Sequence, residues 1–346
     1  MSNVRTATRI DPHQPIPAAR RSGHARRLGG SAALALALGA AGGPALAQEF
    51  PVRPVRIIAP YAPGGGTDLL SRFIARKFTE SWGQQVVVEN RLGAGGIVGT
   101  ELVARAPADA YTLLMTASTH SINPSLFRKL PYDPIKDFVA IGMVATGPNI
   151  VVVHPSVPAK SIKDLIALAR KRRGEMTFGS AGVGSTTHLA GEYFKSAAGI
   201  DVMHVPFKGS GAAQIDLMGG HIDFMVDSLP SALPNVRAGK TRALATTGGR
   251  RFPTLPDVPT AAEAGLPGFE SISWWGLMAP AGTPAALVAR INGELNRLLR
   301  LPDVREFILN MGAEPRTSTP EEFMDYIRVE TGVYARVIQK AGIKPE

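Results

Sequence analysis

Apolar runs and helical patterns alternate along the first part of the chain. Val55–Ala59 is a short continuous apolar run, typical of a buried strand, whereas Asp68–Glu80 places its apolar residues at helical spacing. Further strands are predicted at Gln85–Glu89 and Tyr111–Thr116, with a helix at Ile97–Ala106 between them. Because strands alternate with helices, the pattern favours an α/β fold, with a parallel sheet flanked by helices.

A second α/β unit is predicted after residue 150. Its first helix, Ser161–Arg173, begins with a candidate N-cap serine, and further strands and helices follow up to about residue 270. Two more amphipathic helices, predicted at Ala285–Leu299 and Pro320–Ala341, have no sheet of their own, so we expect them to pack back on the first unit. Crossings near residues 150 and 270 would form a hinge between two lobes, predicted as 48–150 plus 271–346, and 151–270.

Residues 1–47 have the pattern of a secretory signal peptide. Arginines dominate the start, Leu28–Ala41 is rich in alanine and leucine, and Ala45-Leu46-Ala47 is a small-x-small cleavage site. The apolar segment is shorter than the ~20 residues that span a bilayer. We therefore expect export to the periplasm with cleavage after Ala47. The long arginine-rich start leaves general secretion and twin-arginine export both open.

Charge and cysteine content exclude several classes of function. Removal of the predicted leader takes away six arginines and one aspartate, so the formal charge falls from +10 to +5. The densest basic cluster, Lys171-Arg172-Arg173, has no interleaved aromatic residues and is interpreted as a solvated helix end rather than a nucleic-acid site. The absence of cysteine excludes disulfides, thiol catalysis and cysteine zinc sites.

The glycine-rich turn "PGGGTD" lies between the first predicted strand and its helix. It lacks the lysine of a P-loop, and it does not match the dinucleotide pattern G-x-G-x-x-G. A carboxylate is a better candidate ligand, because a helix start offers free N–H groups and about half a positive charge. The alternative is a tight turn at Gly64–Gly66, with Thr67 or Asp68 capping the helix.

A second loop, "GSAGVGSTTHL" at Gly179–Leu189, repeats the arrangement in the other lobe. Its hydroxyl donors are Ser180, Ser185, Thr186 and Thr187. Two such loops that face each other across a cleft would hold an anion from both sides.

At three further positions, the sequence does not decide between ligand binding and a structural role. Tyr61 and one of Trp274 and Trp275 would supply apolar contacts to a ligand or simply pack in the core or hinge. Asp227 lies at the carboxyl end of a predicted strand, where open α/β sheets bind ligands. It would accept an ammonium group or an N–H group of a ligand, or cap the next turn.

Catalytic signatures are missing from the sequence. There is no G-x-S-x-G nucleophile elbow and no H-E-x-x-H zinc motif, and His221-x-Asp223 is too weak for a metal site. No catalytic residue, metal or cofactor is therefore predicted. An exported hydrolase or lyase with a nucleophile or base near Ser185, His188 or Asp227 remains the alternative of a different class.

From about Phe50 to its end, the chain resembles the Bug receptors, the extracytoplasmic solute receptors of tripartite tricarboxylate transporters. The resemblance is carried by six long ordered stretches, which are Phe50–Asp68, Val86–Thr100, "PYDPIKDF", "GSAGVGSTTHLAGEYF", "HVPFKGSGAA" and "WWGLMAPAGTP". It implies a two-lobed, hinged periplasmic binding protein. Such a receptor binds organic, amino or aromatic acids and delivers them to a membrane transporter. A sensor that passes its ligand to a signalling partner is the other possibility, and a monomer without nucleic acid is expected.

The resemblance also implies which residues bind the ligand. One carboxylate would be held by main-chain amides and bridging waters of the two loops, with further contacts from the end of the third strand and from the distal position at Asp227. The expected ligand-binding residues are Tyr61, Ala62, Gly64, Gly65, Gly66, Thr67, Asp68, Ser118, Thr119, Ser180, Gly182, Ser185, Thr186 and Asp227.

Overall fold

The computed structural model describes residues 50–340 and Pro345, so the predicted leader and its cleavage site lie outside the described residues. Ten strands form one mixed sheet: β1 Val55–Ala59, β2 Val86–Asn90, β3 Thr112–Ala117, β4 Phe138–Val153, β5 Thr177–Ser180, β6 Met203–Pro206, β7 Phe224–Ser228, β8 Arg242–Thr246, β9 Ile272–Pro280 and β10 Glu314–Pro315. The α-helices are α1 Gly66–Trp82, α2 Ile97–Ala104, α3 Thr119–Leu126, α4 Ile162–Lys171, α5 Thr186–Ala198, α6 Ser210–Met218, α7 Leu229–Arg237, α8 Ala285–Arg300, α9 Pro302–Asn310 and α10 Pro320–Lys340.

The strand order is β2-β1-β3-β9-β4-β7-β5-β6, with β8 and β10 paired to β4. The pairs β1–β2, β1–β3, β5–β6 and β5–β7 are parallel, but β9 is antiparallel to both β3 and β4, and β4 is antiparallel to β7. The expectation of a purely parallel sheet is therefore wrong at its centre. Strand β9 follows the strands of the second half in the chain but lies between β3 and β4 in the sheet, and it runs antiparallel to both.

Strand β4 joins the two halves of the molecule. Its residues Phe138–Pro148 pair with β9, and its residues Asn149–Val153 pair with β7 and β8. At this change of partner, Asn149 N–H donates to Oγ1 of Thr247 (2.8 Å), and Asn149 Nδ2 donates to Oγ of Ser271 (2.7 Å). These hydrogen bonds bring three chain segments together where the two lobes meet.

Each half has its own apolar core. In the first half, Val288 and Ile291 of α8 belong to the same buried cluster as Ile57 of β1, and Phe323 of α10 belongs to the same cluster as Ile58. Helices α8 and α10 thus contribute to the core of the first half, while the division into two lobes at residues 150 and 270 stays a prediction. In the second half, Phe178, Phe194 and Phe224 belong to a separate cluster.

Most helices predicted from periodicity are present, and Ser161 caps α4 by accepting the N–H of Asp164 (3.1 Å). Helices α3, α7 and α9 were not predicted. Prolines lie within α3 and α7 and at the start of α9, and they interrupt the apolar spacing that signals a helix. Within the described residues, no helix is long and apolar enough to cross a membrane.

Candidate functional site

A cavity between the two halves is surrounded by the starts of five described helices. The first residues of α1, α3, α5 and α6 line it, together with Ser228, the N-cap of α7. None of the residues that line this cavity is a lysine, arginine, histidine, aspartate or glutamate. Helix dipoles and N–H groups, rather than cationic side chains, are therefore the features that would favour an anion in this cavity.

The loop before α1, residues 62–67, presents unpaired donors to this cavity. Gly65 occupies the N-cap, and no side chain caps the helix. The first N–H groups of a helix have no partner within it, and those of Gly66 and Thr67 have none elsewhere in the part of the chain that the structure describes, so they are free for a ligand. Thr67 is buried, and it also presents its hydroxyl at the cavity wall.

Asp68 holds this first loop from behind. Its carboxylate accepts the N–H of Gly64 (3.0 Å) and the Nδ2–H of Asn90 (2.9 Å), and it forms an ion pair with Arg72 (2.9 Å). Asp68 does not line the cavity. Its negative charge is thereby matched by protein donors, and it fixes the loop conformation.

The loop before α5, residues 181–185, is tied down by hydroxyl groups. Ser185 caps α5 by accepting the N–H of His188 (3.1 Å), and Thr187 Oγ1 accepts the N–H of Ala181 (2.8 Å). Ser185 and Thr187 also bond to each other (3.0 Å). Only Thr186, with no protein partner for its hydroxyl among the described residues, offers a free side-chain donor at this wall.

Two stacked histidines lie beneath the second loop. The rings of His188 and His204 are 4.0 Å apart, and Nε2 of His204 bonds to Oγ of Ser180 (2.7 Å). Burial lowers the pKa of His188 to about 4 and that of His204 to about 3. Both rings are therefore neutral near pH 7 and add no charge to the anion cavity.

The apolar wall comes from Trp275 and Tyr61. A Cβ atom at Gly66 would lie 2.9 Å from the Trp275 ring, so the indole packs directly against the start of α1. The Tyr61 hydroxyl donates to the carbonyl of Gly95 (3.1 Å) and bonds to Thr119, and burial raises the pKa of Tyr61 well above its ordinary value. Trp274 faces the core instead, where its indole N–H donates to Glu330.

Asp227 lies one layer behind the cavity wall. Its Oδ1 accepts the N–H of Ser228 and the hydroxyl of Ser210 (2.8 Å each), and its Oδ2 accepts Nε2–H of Gln214 (2.8 Å). It is fully buried, which raises the pKa of its carboxyl group. It orients two residues that line the cavity and does not line it itself.

The structure brings together a majority of the expected ligand-binding residues. The cavity is lined by Tyr61, Ala62, Gly65, Gly66, Thr67, Thr119, Ser185 and Thr186.

The other expected residues lie outside the lining, in supporting positions. Gly64 is a left-handed turn residue, Oγ of Ser118 accepts the N–H of Trp274 (3.1 Å), Ser180 is bonded to His204, and Gly182 adopts a positive φ of 120°. With Asp68 and Asp227, these residues shape the two loops.

Seven lining residues were not among the expected ligand-binding residues. They are Ala117, Ala181, Thr187, Ser210, Ser228, Ser273 and Trp275. Thr187 and Trp275 carried a signal in the sequence, as a hydroxyl of the second loop and as one of two candidate tryptophans. Ser210, Ser228 and Ser273 reach the cavity only because the sheet order brings their elements together, and no local pattern marks them.

Residues 70–343 match the family model described as tripartite tricarboxylate transporter family receptor. The chain belongs to this family.

Three solved structures are similar over nearly their whole length. The structure of Rpa4515 with adipate, from R. palustris, is 36% identical, covers 86% of this chain and 100% of its own, and has a TM-score of 0.84. The periplasmic binding protein BugD is 35% identical, with the same coverage and a TM-score of 0.83. MatC from Rhodopseudomonas palustris with bound malate is 34% identical, covers 84% and 100%, and has a TM-score of 0.79.

These similarities confirm the family resemblance and the fold that were expected from the sequence. The chain has the two-lobed α/β architecture of periplasmic binding proteins, and its family consists of receptors. No group of residues suited to hold a metal ion occurs in the part of the chain that the structure describes.

Proposed function

We propose that the protein is a periplasmic solute receptor that captures a small carboxylate and delivers it to a tripartite tricarboxylate-type transporter. The carrying observation is that the first residues of α1 and α5, whose N–H groups have no partner among the described residues, line one cavity without any cationic side chain. Hydrogen bonds to a charged group contribute about 1.5–3 kcal/mol each. A carboxylate accepts several such bonds and carries the single charge that two helix starts favour.

The structural relatives support this ligand class. Rpa4515 is described with adipate and MatC with malate, and both ligands are small dicarboxylates. The neutral lining of the present cavity suits such acids. Bound nucleotides would bring several phosphate charges to a cavity without lysine or arginine, which is unfavourable.

We propose that ligand capture closes the two lobes, 48–150 plus 271–346 and 151–270, about the Asn149 crossing. Close contacts between the two sides support a closed form. A Cβ atom at Gly211, in α6, would lie 2.7 Å from the carbonyl oxygen of Pro63, and one at Gly209 would lie 2.6 Å from Cβ of Ala62. Glycines therefore allow the start of α6 to approach the first loop.

An enzymatic function lacks support at this site. In residues 50–340, the serine and histidine side chains that bond to each other near the loops are Ser180 and His204, and Ser180 is fully buried and does not line the cavity. A nucleophile needs access to its substrate, so this pair is better explained as support for the second loop.

The experiment is a calorimetric titration of the leader-free protein with a panel of mono- and dicarboxylates, followed by chromatography of the recovered ligand. We expect saturable binding of at least one carboxylate and unchanged ligand. Loss of binding when the carboxylate is replaced by its carboxamide would support the proposal that the helix starts bind the anionic group of the ligand. Turnover, or no binding across the panel, would overturn the proposal.

A further inference from the structure

Leu189 differs from the other apolar residues of α5 in its surroundings. Phe194 and Ala198 of this helix belong to the apolar core of the second half, together with Phe178. Leu189 is also buried, at 7% exposed, but it belongs to a separate small cluster. It shares this cluster with Ile122 and Leu126 of α3 and Ile338 of α10. Because α10 contributes to the core of the first half, the burial of Leu189 joins the two halves.

The loop before α5 meets the end of α3 in the same region. A Cβ atom at Gly184 would lie 3.1 Å from Cε2 of Phe127, the C-cap of α3, and 3.5 Å from Cδ1 of Leu126. A Cβ atom at Gly95, in the first half, would lie 3.7 Å from Cζ of Phe127. The Phe127 ring therefore lies beside glycines of both halves, and it packs against the cluster that contains Leu189.

These apolar contacts lie outside the ligand cavity. Helices α3 and α5 both begin at the cavity, where Thr119 and Thr186 line its wall. Leu189 lies about one helical turn after Thr186, and Leu126 lies about two turns after Thr119. None of the residues of the cluster lines the cavity. The two helices are thus held together at a second place, which the ligand does not contact.

We propose that Leu189, Leu126, Phe127 and Ile338 form an apolar clasp, which holds the two halves closed around a ligand and sets part of the affinity without touching the ligand. The inference rests on the proposed function, because it requires that the halves separate to admit the ligand. Separation would return the side chains of the clasp to water, so the clasp favours the closed form. Ile338 lies in the last turn of α10, which makes the C-terminal helix a component of ligand capture.

The clasp and the ligand act on the same equilibrium between the open and the closed form. A ligand that binds the closed form must supply the free energy of closure, and each contact that already favours closure leaves more of the binding free energy for affinity. Truncation of a clasp residue should therefore raise the Kd without changing any contact to the ligand. Because the ligand enters the open form, the association rate should change little and the dissociation rate should rise.

The first test is Leu189→Ala, with binding of the tightest carboxylate of the panel measured by calorimetry and by stopped-flow fluorescence. We expect the Kd to rise about 10-fold, mostly through faster dissociation, since burial of a leucine side chain contributes about this factor or more. Leu189→Met, which nearly conserves the side-chain volume, should restore most of the affinity. An unchanged Kd for Leu189→Ala would overturn the inference, whereas absence of carboxylate binding by the wild-type protein would count against the proposed function itself.

Phe194→Leu is the comparison within α5. Phe194 lies in the core of the second half, so this change should lower the thermal stability of the ligand-free protein and leave the Kd unchanged. Leu189→Ala should show the opposite pattern, because its side chain is exposed in the open form. A loss of ligand-free stability for Leu189→Ala as large as that for Phe194→Leu would assign Leu189 to the core of its own half and contradict the clasp.

The clasp also predicts an effect from α10. Ile338→Ala should raise the Kd about 5-fold, whereas Val329→Ala, on the same helix but 61% exposed, should leave it unchanged. Leu189→Ala and Ile338→Ala act on one cluster, so the double variant should lose less affinity than the product of the two single factors. Equal binding by Ile338→Ala and Val329→Ala would contradict the clasp as proposed.

Methyl NMR of the wild-type protein tests the clasp without any substitution. In the ligand-bound protein, the methyl groups of Leu189 should show nuclear Overhauser contacts to those of Leu126 or Ile338, and these contacts should weaken in the ligand-free protein. Absence of such contacts in the bound form would overturn the inference, even where a variant has lost stability. Contacts of equal strength in the bound and the ligand-free protein would also contradict it.

Discussion

The two loops that line the cavity are built differently, although each leads from a strand of the sheet into a helix. The loop before α1 has no side-chain cap and is held from behind by the carboxylate of Asp68. The loop before α5 is capped by Ser185, braced by Thr187 and supported by a neutral histidine pair. The first loop therefore keeps its donors free, whereas the second uses part of its own polar groups for rigidity.

Because of this difference, we expect the two loops to contribute unequally to the affinity for the ligand. A helix start without a cap leaves more N–H groups for a ligand, so the first loop should contribute most of the affinity. The second loop is shaped by its own hydrogen bonds before a ligand arrives. Changes in the first loop should therefore alter mainly binding, and changes in the second loop should alter stability more than binding.

The largest effect is expected for Gly66→Ala. The new Cβ atom would lie 2.9 Å from the Trp275 ring and 3.2 Å from Oγ of Ser228, so either the start of α1 or the apolar wall must move. Overpacking of this kind costs about 1–3 kcal/mol, which corresponds to up to about 100-fold in affinity. Calorimetry measures the change, and unaltered affinity would show that the geometry at the start of α1 does not decide binding.

A smaller effect, about 10-fold in Kd, is expected for Gly211→Ala. Alanine is a better helix former than glycine, so α6 itself should tolerate the change, but the added Cβ would meet the Pro63 carbonyl only when the lobes approach. The variant should bind more weakly without loss of thermal stability. Small-angle scattering with saturating ligand should show a larger radius of gyration than for the wild type.

Gly293→Ala is the control for both glycine variants. Gly293 lies within α8, is exposed, and has no atom within 4 Å of the position that a Cβ would take. It should bind ligand like the wild type. If Gly211→Ala also binds like the wild type, the contact between α6 and the first loop is absent from the bound form.

Ser185→Ala should lower the free energy of unfolding by about 1 kcal/mol, the usual loss for an N-cap, and change affinity only a few-fold. Ser161→Ala removes the same kind of cap from α4, away from the cavity. Urea denaturation should show similar losses for the two variants. A loss of affinity for Ser185→Ala as large as that for Gly66→Ala would contradict the expectation that the first loop contributes more to the affinity than the second.

The smallest effect concerns pH. The folded pKa values of His188 and His204, about 4 and about 3, lie below the ordinary value of 6.5 because the rings are buried. The unfolded chain therefore binds protons that the folded chain does not, and these histidines reduce the free energy of unfolding as pH falls from 6.5 towards 4. Glu330, whose pKa burial raises to about 8, acts in the opposite direction between its ordinary value of 4.5 and pH 8.

Urea denaturation at several pH values between 4 and 6.5 measures this contribution. His204→Gln should make the free energy of unfolding depend less on pH in this window, because one of the rings whose pKa is lowered by burial is lost, while His188 and His120 remain. An unchanged pH dependence would show that the histidine beneath the second loop titrates in the folded protein as it does in the unfolded chain.

The sequence predicts the parts of the site that depend on local chemistry. A glycine-rich turn followed by helical spacing identifies the starts of α1 and α5, and Ser161 as an N-cap follows from the same rules. The starts of α3 and α7 escape prediction because Pro124, Pro230 and Pro234 interrupt the apolar pattern, although proline fits well in the first turn of a helix.

Other features of the site depend on how the strands are ordered. Asp227 is correctly placed at the end of a strand, but its side chain turns towards Ser210 and Gln214 rather than into the cavity. Ser273 reaches the cavity because β9 runs antiparallel between β3 and β4. Spacing within one segment carries no information about these neighbours, since they come from distant parts of the chain.

The central claim is that helix-start N–H groups, without a cation, bind the acid group of the ligand. Its most direct test is amide NMR of the ¹⁵N-labelled protein titrated with the tightest carboxylate of the panel. The amide protons of Gly66, Thr67 and Thr186 should move downfield and saturate with the Kd found by calorimetry, and the carboxamide analogue should leave them in place. Calorimetric binding of the carboxylate without any change at these three amides would contradict the account.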